Sequence, residues 1–162
     1  MIRKLLPSDL DAALRVVNEA AQAYEGVIPA DCWKEPYMSA GELREEVGAG
    51  VEFYGWVEDD ALVGVMGIQR VEGTTLIRHS YVLTEHQRRG IGGKLLEHLV
   101  ILAETPEVLV GTWADATWAI RFYEKHGFKL MPRKEGEKLL RKYWNIPNIQ
   151  IETSVVLRFR RA

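Results

Sequence analysis

Residues 81–94 read Tyr81-Val82-Leu83-Thr84-Glu85-His86-Gln87-Arg88-Arg89-Gly90-Ile91-Gly92-Gly93-Lys94. An apolar strand end passes into a polar turn with two arginines, then into glycines that open an amphipathic helix. Glycines let backbone N–H groups approach an anion, and a helix N-terminus adds partial positive charge. Arg88, Arg89 and Lys94 add whole charges, so the segment suits a pyrophosphate. It is not a G-x-x-x-x-G-K-[ST] loop. It is not the dinucleotide fingerprint either, because Gly90-Ile91-Gly92-Gly93-Lys94-Leu95 lacks the last glycine and lies mid-chain. Taken alone, the segment also fits a solvated turn that caps a helix.

Apolar periodicity on either side builds a mixed α/β order. Residues 2–6 form a short strand ended by Pro7. Leu10, Ala13, Leu14, Val17, Ala21 and Tyr24 recur at helical spacing behind Ser8 or Asp9 as N-cap. Residues 24–38 are poorly periodic, and two prolines and a glycine argue against a long regular element there. Ser39 with Glu42 is a capping box for a helix to about Ala49, stopped by Gly50. Strands follow at 53–58, 62–71 and 75–83, with turns at Asp59-Asp60 and Gly73. A helix runs from Gly90 to about Ala103, a strand over 108–113, and a helix from about Asp115 to His126, ended by Gly127. Asp115 or Thr117 can cap that helix. Residues 139–144 form a short helix and 149–159 a final strand. Consecutive hairpins give antiparallel pairs, and the strand–helix–strand unit from Thr75 to Trp113 gives a parallel crossover. The expected fold is α/β: a central mixed, mostly antiparallel sheet of six to seven strands with helices on both faces, in a single domain over residues 1–162.

Composition removes several classes of function. A chain of 162 residues buries about 68–70% of its unfolded surface, so it needs no disulfide or structural metal. Cys32, the one cysteine, cannot close an intrachain disulfide, which fits a reducing, cytoplasmic setting. With 21 basic and 23 acidic residues, bulk charge gives no reason to expect nucleic acid. No apolar run approaches the roughly 20 residues of a membrane span, and the N-terminus has no apolar core long enough for a signal peptide. His98 and His126 sit on helices at no ligand spacing, so no metal is expected.

Gln87-Arg88-Arg89-Gly90-Ile91-Gly92 resembles the Q/R-x-x-G-x-G/A motif with which the GNAT (Gcn5-related) N-acetyltransferases bind the pyrophosphate of acetyl-CoA. Ala119-Ile120-Arg121-Phe122-Tyr123-Glu124-Lys125-His126-Gly127-Phe128 resembles the family's A-x-x-F-Y-x-x-x-G-F helix. The two occur in the family's order and separation, and the strand order matches over nearly the whole chain. The resemblance implies a GNAT-like acyl-CoA N-acyltransferase fold. It implies an acetyl-CoA-dependent N-acetyltransferase that moves an acetyl group to a primary amine in a ternary complex, with acetyl-CoA as cosubstrate. Val82 and Leu83 would then meet the pantetheine arm. Gln87, Arg88, Arg89, Gly90, Ile91, Gly92, Gly93 and Lys94 would hold the pyrophosphate. Tyr123 would lie near the thioester sulfur and protonate the departing thiolate; its other reading is packing on the core face, three residues from Ile120. Many members carry an Asn where this chain has Asp115-Ala116-Thr117. The alternative function is a non-catalytic acyl-CoA sensor or interaction module on the same fold.

Acetyl transfer needs a deprotonated, positioned amine, a donor where the oxyanion develops, and a proton for the thiolate. The strand position that carries a Glu in some family members is Leu76 here. The nearest ionisable groups are Arg78 and His79, and an unperturbed histidine titrates near ~6.5. Simple alternation puts His79 on the face opposite Leu76, and a bulge would re-aim it. His79 is the candidate base, against a structural histidine paired with a neighbour. Glu25, Asp31 and Glu35 are the alternatives, and His86 reads as a solvated group. Tyr24, Trp33 and Tyr37 form a candidate aromatic wall for the acceptor, with Glu25 and Glu35 attracting a cationic amine. The other reading is a loop folded on the core by its own aromatics. The partner is a small-molecule or peptide amine, and the final strand leaves a homodimer open.

Overall fold

The computed structural model describes residues 1–161. A seven-stranded sheet runs in the order β1-β2-β3-β4-β5-β7-β6. Its strands are β1 (Ile2–Lys4), β2 (Glu52–Glu58), β3 (Ala61–Val71), β4 (Thr74–Val82), β5 (Glu107–Trp113), β6 (Lys129–Leu130) and β7 (Ser154–Arg160). β4 and β5 are parallel and every other neighbouring pair is antiparallel. The helices are α1 (Leu10–Ala20), α2 (Ala40–Gly48), α3 (Ile91–Ala103), α4 (Thr117–Lys125), α5 (Arg133–Tyr143) and α6 (Asn148–Glu152).

Strand alternation sends side chains to two faces, and helices cover both. Ile77, Val108 and Val110 pack with Leu95 and Leu99 of α3 and Tyr123 of α4. Leu76, Leu109 and Val156 turn the other way, onto Leu140 of α5 and Ile151 of α6. On that second face, Val65 and Phe53 meet Val16 and Val17 of α1 and Leu43 of α2. The Ser39–Glu42 capping box forms, with Glu42 N donating to Ser39 Oγ at 3.1 Å. Both hairpin turns place two residues at positive φ: Asp59 and Asp60 at 49° and 62°, and Glu72 and Gly73 at 51° and 81°. That backbone matches the strand twist in two-residue hairpins.

The C-terminal third departs from the sequence expectation. The short helix expected over 139–144 is the end of an eleven-residue helix, α5. Its charged first half hides a narrow buried stripe, Gly136 and Leu140. The strand expected from 149 begins at Ser154 instead, because Pro147 starts a turn of helix that buries Ile151 and leaves Ile149 exposed. Sequence alternation at Ile149 and Ile151 mimicked a strand. β6 was not expected, since both its residues are exposed. α4 begins at Thr117, and neither Asp115 nor Thr117 caps it with a side chain. β7 lies between β5 and β6, so it completes this chain's own sheet.

Charge ties β1 to the start of α1. Arg3 donates to both oxygens of Asp9 at 2.7 and 2.9 Å, and Leu6 N donates to Oδ2 at 2.7 Å. The Arg3 and Leu6 hydrogen bonds hold the Asp9 carboxyl down at about 2. A folded value below the unfolded ~3.9 adds stability above pH ~4, and that stability is lost as pH falls towards 2. Solvent screens so exposed a pair, which keeps the effect small. Asp9→Asn is expected to lower the urea midpoint at pH 7 and to match the parent protein near pH 2.

Candidate active site

The parallel pair β4–β5 holds together only from Thr75↔Val108 to Ile77↔Val110. Beyond it β4 stays with β3, while Gly111, Thr112 and Trp113 stay with β7. The two strands therefore diverge and leave a wedge in mid-sheet. The cause lies in β4. Val65 pairs Tyr81 and Gly67 pairs Arg78, so Met66 faces two residues, His79 and Ser80. This is a β-bulge, which bends and twists its strand. His79 occupies the left-handed region at φ 54°. A non-glycine residue there costs about 1–3 kcal/mol.

On the α3–α4 side the wedge opens into a cleft of about 860 Å³. One end is the glycine loop. Arg88 and Gly90 both take positive φ, 66° and 79°. The amides of residues 88–93 find no acceptor among the described residues, and the first helical bond is Lys94 N to Gly90 O at 3.0 Å. Free amides at the start of a thirteen-residue helix form an anion cradle. A Cβ on Gly93 would meet His126 Nε2 at 2.6 Å, so glycine there lets α4 close against α3. The cleft floor is Val82, Phe122 and Tyr123. An anion cradle at one end of a cleft of this size fits a pyrophosphate attached to an extended arm.

On the opposite face the wedge meets a smaller cavity of about 120 Å³, lined by Tyr24, Tyr37, Arg78, His79, Trp113 and Trp144 among others. His79 and Tyr81 line both spaces. Phenol groups converge between them. Trp113 Nε1 donates to the Tyr37 hydroxyl at 3.0 Å. The Tyr24 ring lies 5.5 Å from that of Tyr37 and stacks with Trp118 at 6.0 Å. Burial pushes Tyr24, Tyr37 and Tyr123 up to about 12 each, with a Ser80 hydrogen bond partly offsetting it at Tyr123. Burial, then the neighbouring Tyr24 and Tyr37, raises Tyr81 well above its ordinary value. These hydroxyls stay protonated at neutral pH.

The candidate residues are not all brought together. Val82, Gln87, Arg88, Gly90, Ile91, Gly92, Gly93, Lys94, Tyr123, Tyr24 and His79 line the large cleft. Gln87 donates to Val82 O at 3.0 Å and folds the loop onto its strand. Arg89 turns away to Glu58, bridging both carboxylate oxygens at 3.0 Å. Leu83 gives its amide to Val63 O. Lys94 lies over the Trp56 ring, 5.4 Å from its centre. Tyr37 lines the smaller cavity, and Trp33 stacks on Tyr37 at 5.9 Å without lining either space. Glu25 and Glu35 are exposed and line neither. Tyr81, Thr112, Phe122 and Trp144 enter the site without having been candidates. They lie on strand ends and helix faces where apolar alternation alone marks them as core.

A family model described as the acetyltransferase (GNAT) domain matches residues 49–130, half of the chain. Among solved structures, the PaiA N-acetyltransferase of Thermoplasma acidophilum in complex with coenzyme A matches with a TM-score of 0.75 at 20% identity, over 99% of this chain and 98% of that one. The ribosomal-protein-S18-alanine N-acetyltransferase of Escherichia coli matches with a TM-score of 0.72 at 19% identity, over 99% and 92%. A GNAT family acetyltransferase of Elizabethkingia anophelis with acetyl-CoA bound matches with a TM-score of 0.63 at 19% identity, over 99% and 97%.

Proposed function

The chain belongs to the GNAT acetyltransferase family, and from that premise we propose that it moves an acetyl group from acetyl-CoA directly to a primary amine. The observation that carries this is the wedge between β4 and β5, which joins an anion-cradled cleft to a separate small cavity on the other face. The free amides of residues 88–93 and the Arg88 side chain hold the pyrophosphate. The pantetheine arm runs past Val82 to the wedge. The amine enters from the smaller cavity and meets the thioester where the strands part.

His79 is the base in this reading, because the bulge turns it to the Leu76 side of the sheet, where the smaller cavity lies. Tyr123 serves the sulfur. A phenol at about 12 is a weaker acid than a thiol near ~8.5, so full transfer of its proton is uphill by about 5 kcal/mol. Tyr123 therefore donates a hydrogen bond to the departing thiolate, and solvent completes the protonation. Losing one charge-assisted hydrogen bond costs about 1.5 kcal/mol, a factor of about ten. Tyr123→Phe is expected to lower kcat about tenfold and leave acetyl-CoA affinity unchanged; a kcat equal to the parent's removes the role.

The smaller cavity has aromatic walls and, among the described residues that line it, Arg78 and His79 are the only ionisable groups besides its tyrosines. It suits a slim, uncharged amine arm. The deciding experiment is calorimetry with acetyl-CoA, followed by thiol release with 2-phenylethylamine, spermidine and an alanine-terminated peptide. The peptide is included because the E. coli neighbour is a ribosomal-protein-alanine acetyltransferase. Binding with thiol release supports the proposal. Binding without transfer to any amine reassigns the protein to acyl-CoA sensing, and absence of binding sinks both readings.

A further inference from the structure

His79 does not stand alone at its bend. Glu46, in the last turn of α2, sets its carboxylate against the ring, with Oε2 3.1 Å from His79 Nε2. Its other oxygen accepts from Arg78 at 3.2 Å, and Arg78 also donates to Gln69 Oε1 at 3.1 Å. Glu46 Oε2 and His79 Nε2 are enclosed atoms with no other polar partner. The two atoms lie at ion-pair distance without a hydrogen bond between them. Phe53 stacks on the ring with centroids 6.0 Å apart. Burial alone would raise the Glu46 carboxyl, but the His79 contact and Arg78 outweigh it and hold it below its ordinary value. Glu46 is therefore a half-buried anion set against one nitrogen of the ring, and His79 lines both cavities.

A purely structural role explains this poorly. A buried carboxylate paired only with Arg78 would need no histidine, and a histidine kept for packing would need no left-handed backbone. Each feature instead restricts the ring in a different way: the bulge sets its direction, Phe53 its plane, and Glu46 its protonated atom. The partner on one ring nitrogen fixes which nitrogen keeps a lone pair.

We propose that Glu46 is a positioning residue for His79, holding the proton on Nε2 so that Nδ1 presents a free lone pair to the acceptor amine. This rests on the reading of His79 as the base. In the transfer, an amine proton passes to Nδ1, the new N–C bond forms, and the C–S bond breaks to release the thiolate. The imidazolium formed then sits against the Glu46 carboxylate. The other ionisable groups facing it are Arg78, already paired with that carboxylate, and the neutral phenols Tyr24, Tyr37 and Tyr81.

Proton NMR of the full chain with 15N-labelled histidine tests the contact without any acceptor. One downfield, exchange-protected ring N–H is expected from His79 Nε2, assigned by its loss in His79→Gln. In the isosteric Glu46→Gln it is expected to move upfield and exchange faster with water, and Glu46→Asp is expected to retain it in part. With the best amine of the panel above, kcat of Glu46→Gln is expected to fall about tenfold, a part of what loss of the base itself costs. KM for acetyl-CoA stays within about twofold, since no phosphate or pantetheine contact changes. Removing the carboxylate disfavours the imidazolium, so the acid limb of the pH profile moves to lower pH. An unchanged ring N–H in Glu46→Gln, or a lower kcat with an unmoved acid limb, overturns the inference. Wild-type turnover by His79→Gln would instead defeat the base assignment, and the Glu46-dependent resonance would then still be present in the parent protein.

Discussion

His79→Gln is expected to lower kcat at least 100-fold while leaving acetyl-CoA affinity within about twofold. Positioned general bases contribute about 10²–10⁴, and Gln matches the size of the imidazole without a usable basic nitrogen. Affinity is spared because the free amides of residues 88–93 lie outside the bend, while His79 sits where the strands part. The split is diagnostic. A histidine that only supported the fold would reduce stability, cofactor binding and turnover together. The substitution also removes the proton acceptor, so the acid limb of the parent profile should disappear from whatever activity is left. Calorimetry with acetyl-CoA and steady-state kinetics over a pH range check both. Undiminished turnover would move the base role to water ordered by the phenol cluster.

The parts of this molecule legible in its sequence are those where local chemistry decides local structure. The 87–94 loop, the Ser39–Glu42 capping box and the Asp59-Asp60 turn each need particular residue types at fixed spacing, and each formed as expected. α5 was half hidden because its buried stripe is one glycine and one leucine within a run of charges; Gly136 matters only because Val156 packs against it. α6 was read as strand because two isoleucines at i and i+2 satisfy alternation until Pro147 sets the backbone. Most of the glycine-loop candidates line one cleft, whereas the acceptor candidates are scattered. Glu25 and Glu35 looked like amine attractors from their place in the chain, yet both face solvent. Glu46 had no signal at all, since a glutamate on a short amphipathic helix looks solvated until tertiary packing brings Arg78 and His79 to it. The bulge at His79 lay between the two cases. It was admissible from the strand pattern, and it is bounded by a residue on the neighbouring strand.

That residue is Gly67, and Gly67→Ala is expected to damage stability and catalysis together. Gly67 pairs Arg78 directly across the ladder. A Cβ there would lie 2.9 Å from Val51 Cγ1, 3.0 Å from the Arg78 carbonyl oxygen and 3.2 Å from Phe53 Cε1. Val51 and Phe53 are core residues, each 3% exposed, and the carbonyl is backbone. None of the three is the end of a long flexible side chain, so the strain must be relieved by shifting the packed strands, β4 among them. Overpacking of this kind costs about 1–3 kcal/mol. The segment that must yield carries the bend that aims His79, and a 1 Å misplacement at a reacting group can cost about 100-fold. Gly48→Ala is the control: it lies in α2 with nothing within 4 Å of its Cβ, and it should be neutral or stabilising. The comparison is made by urea midpoints and kcat on the same preparations. A Gly67→Ala protein that is less stable yet turns over at the parent rate would show that the geometry of the bend does not matter to the chemistry. A protein losing far more rate than its unfolded fraction explains would place the control of His79 in the neighbouring strand, two residues from where the β4–β5 wedge begins.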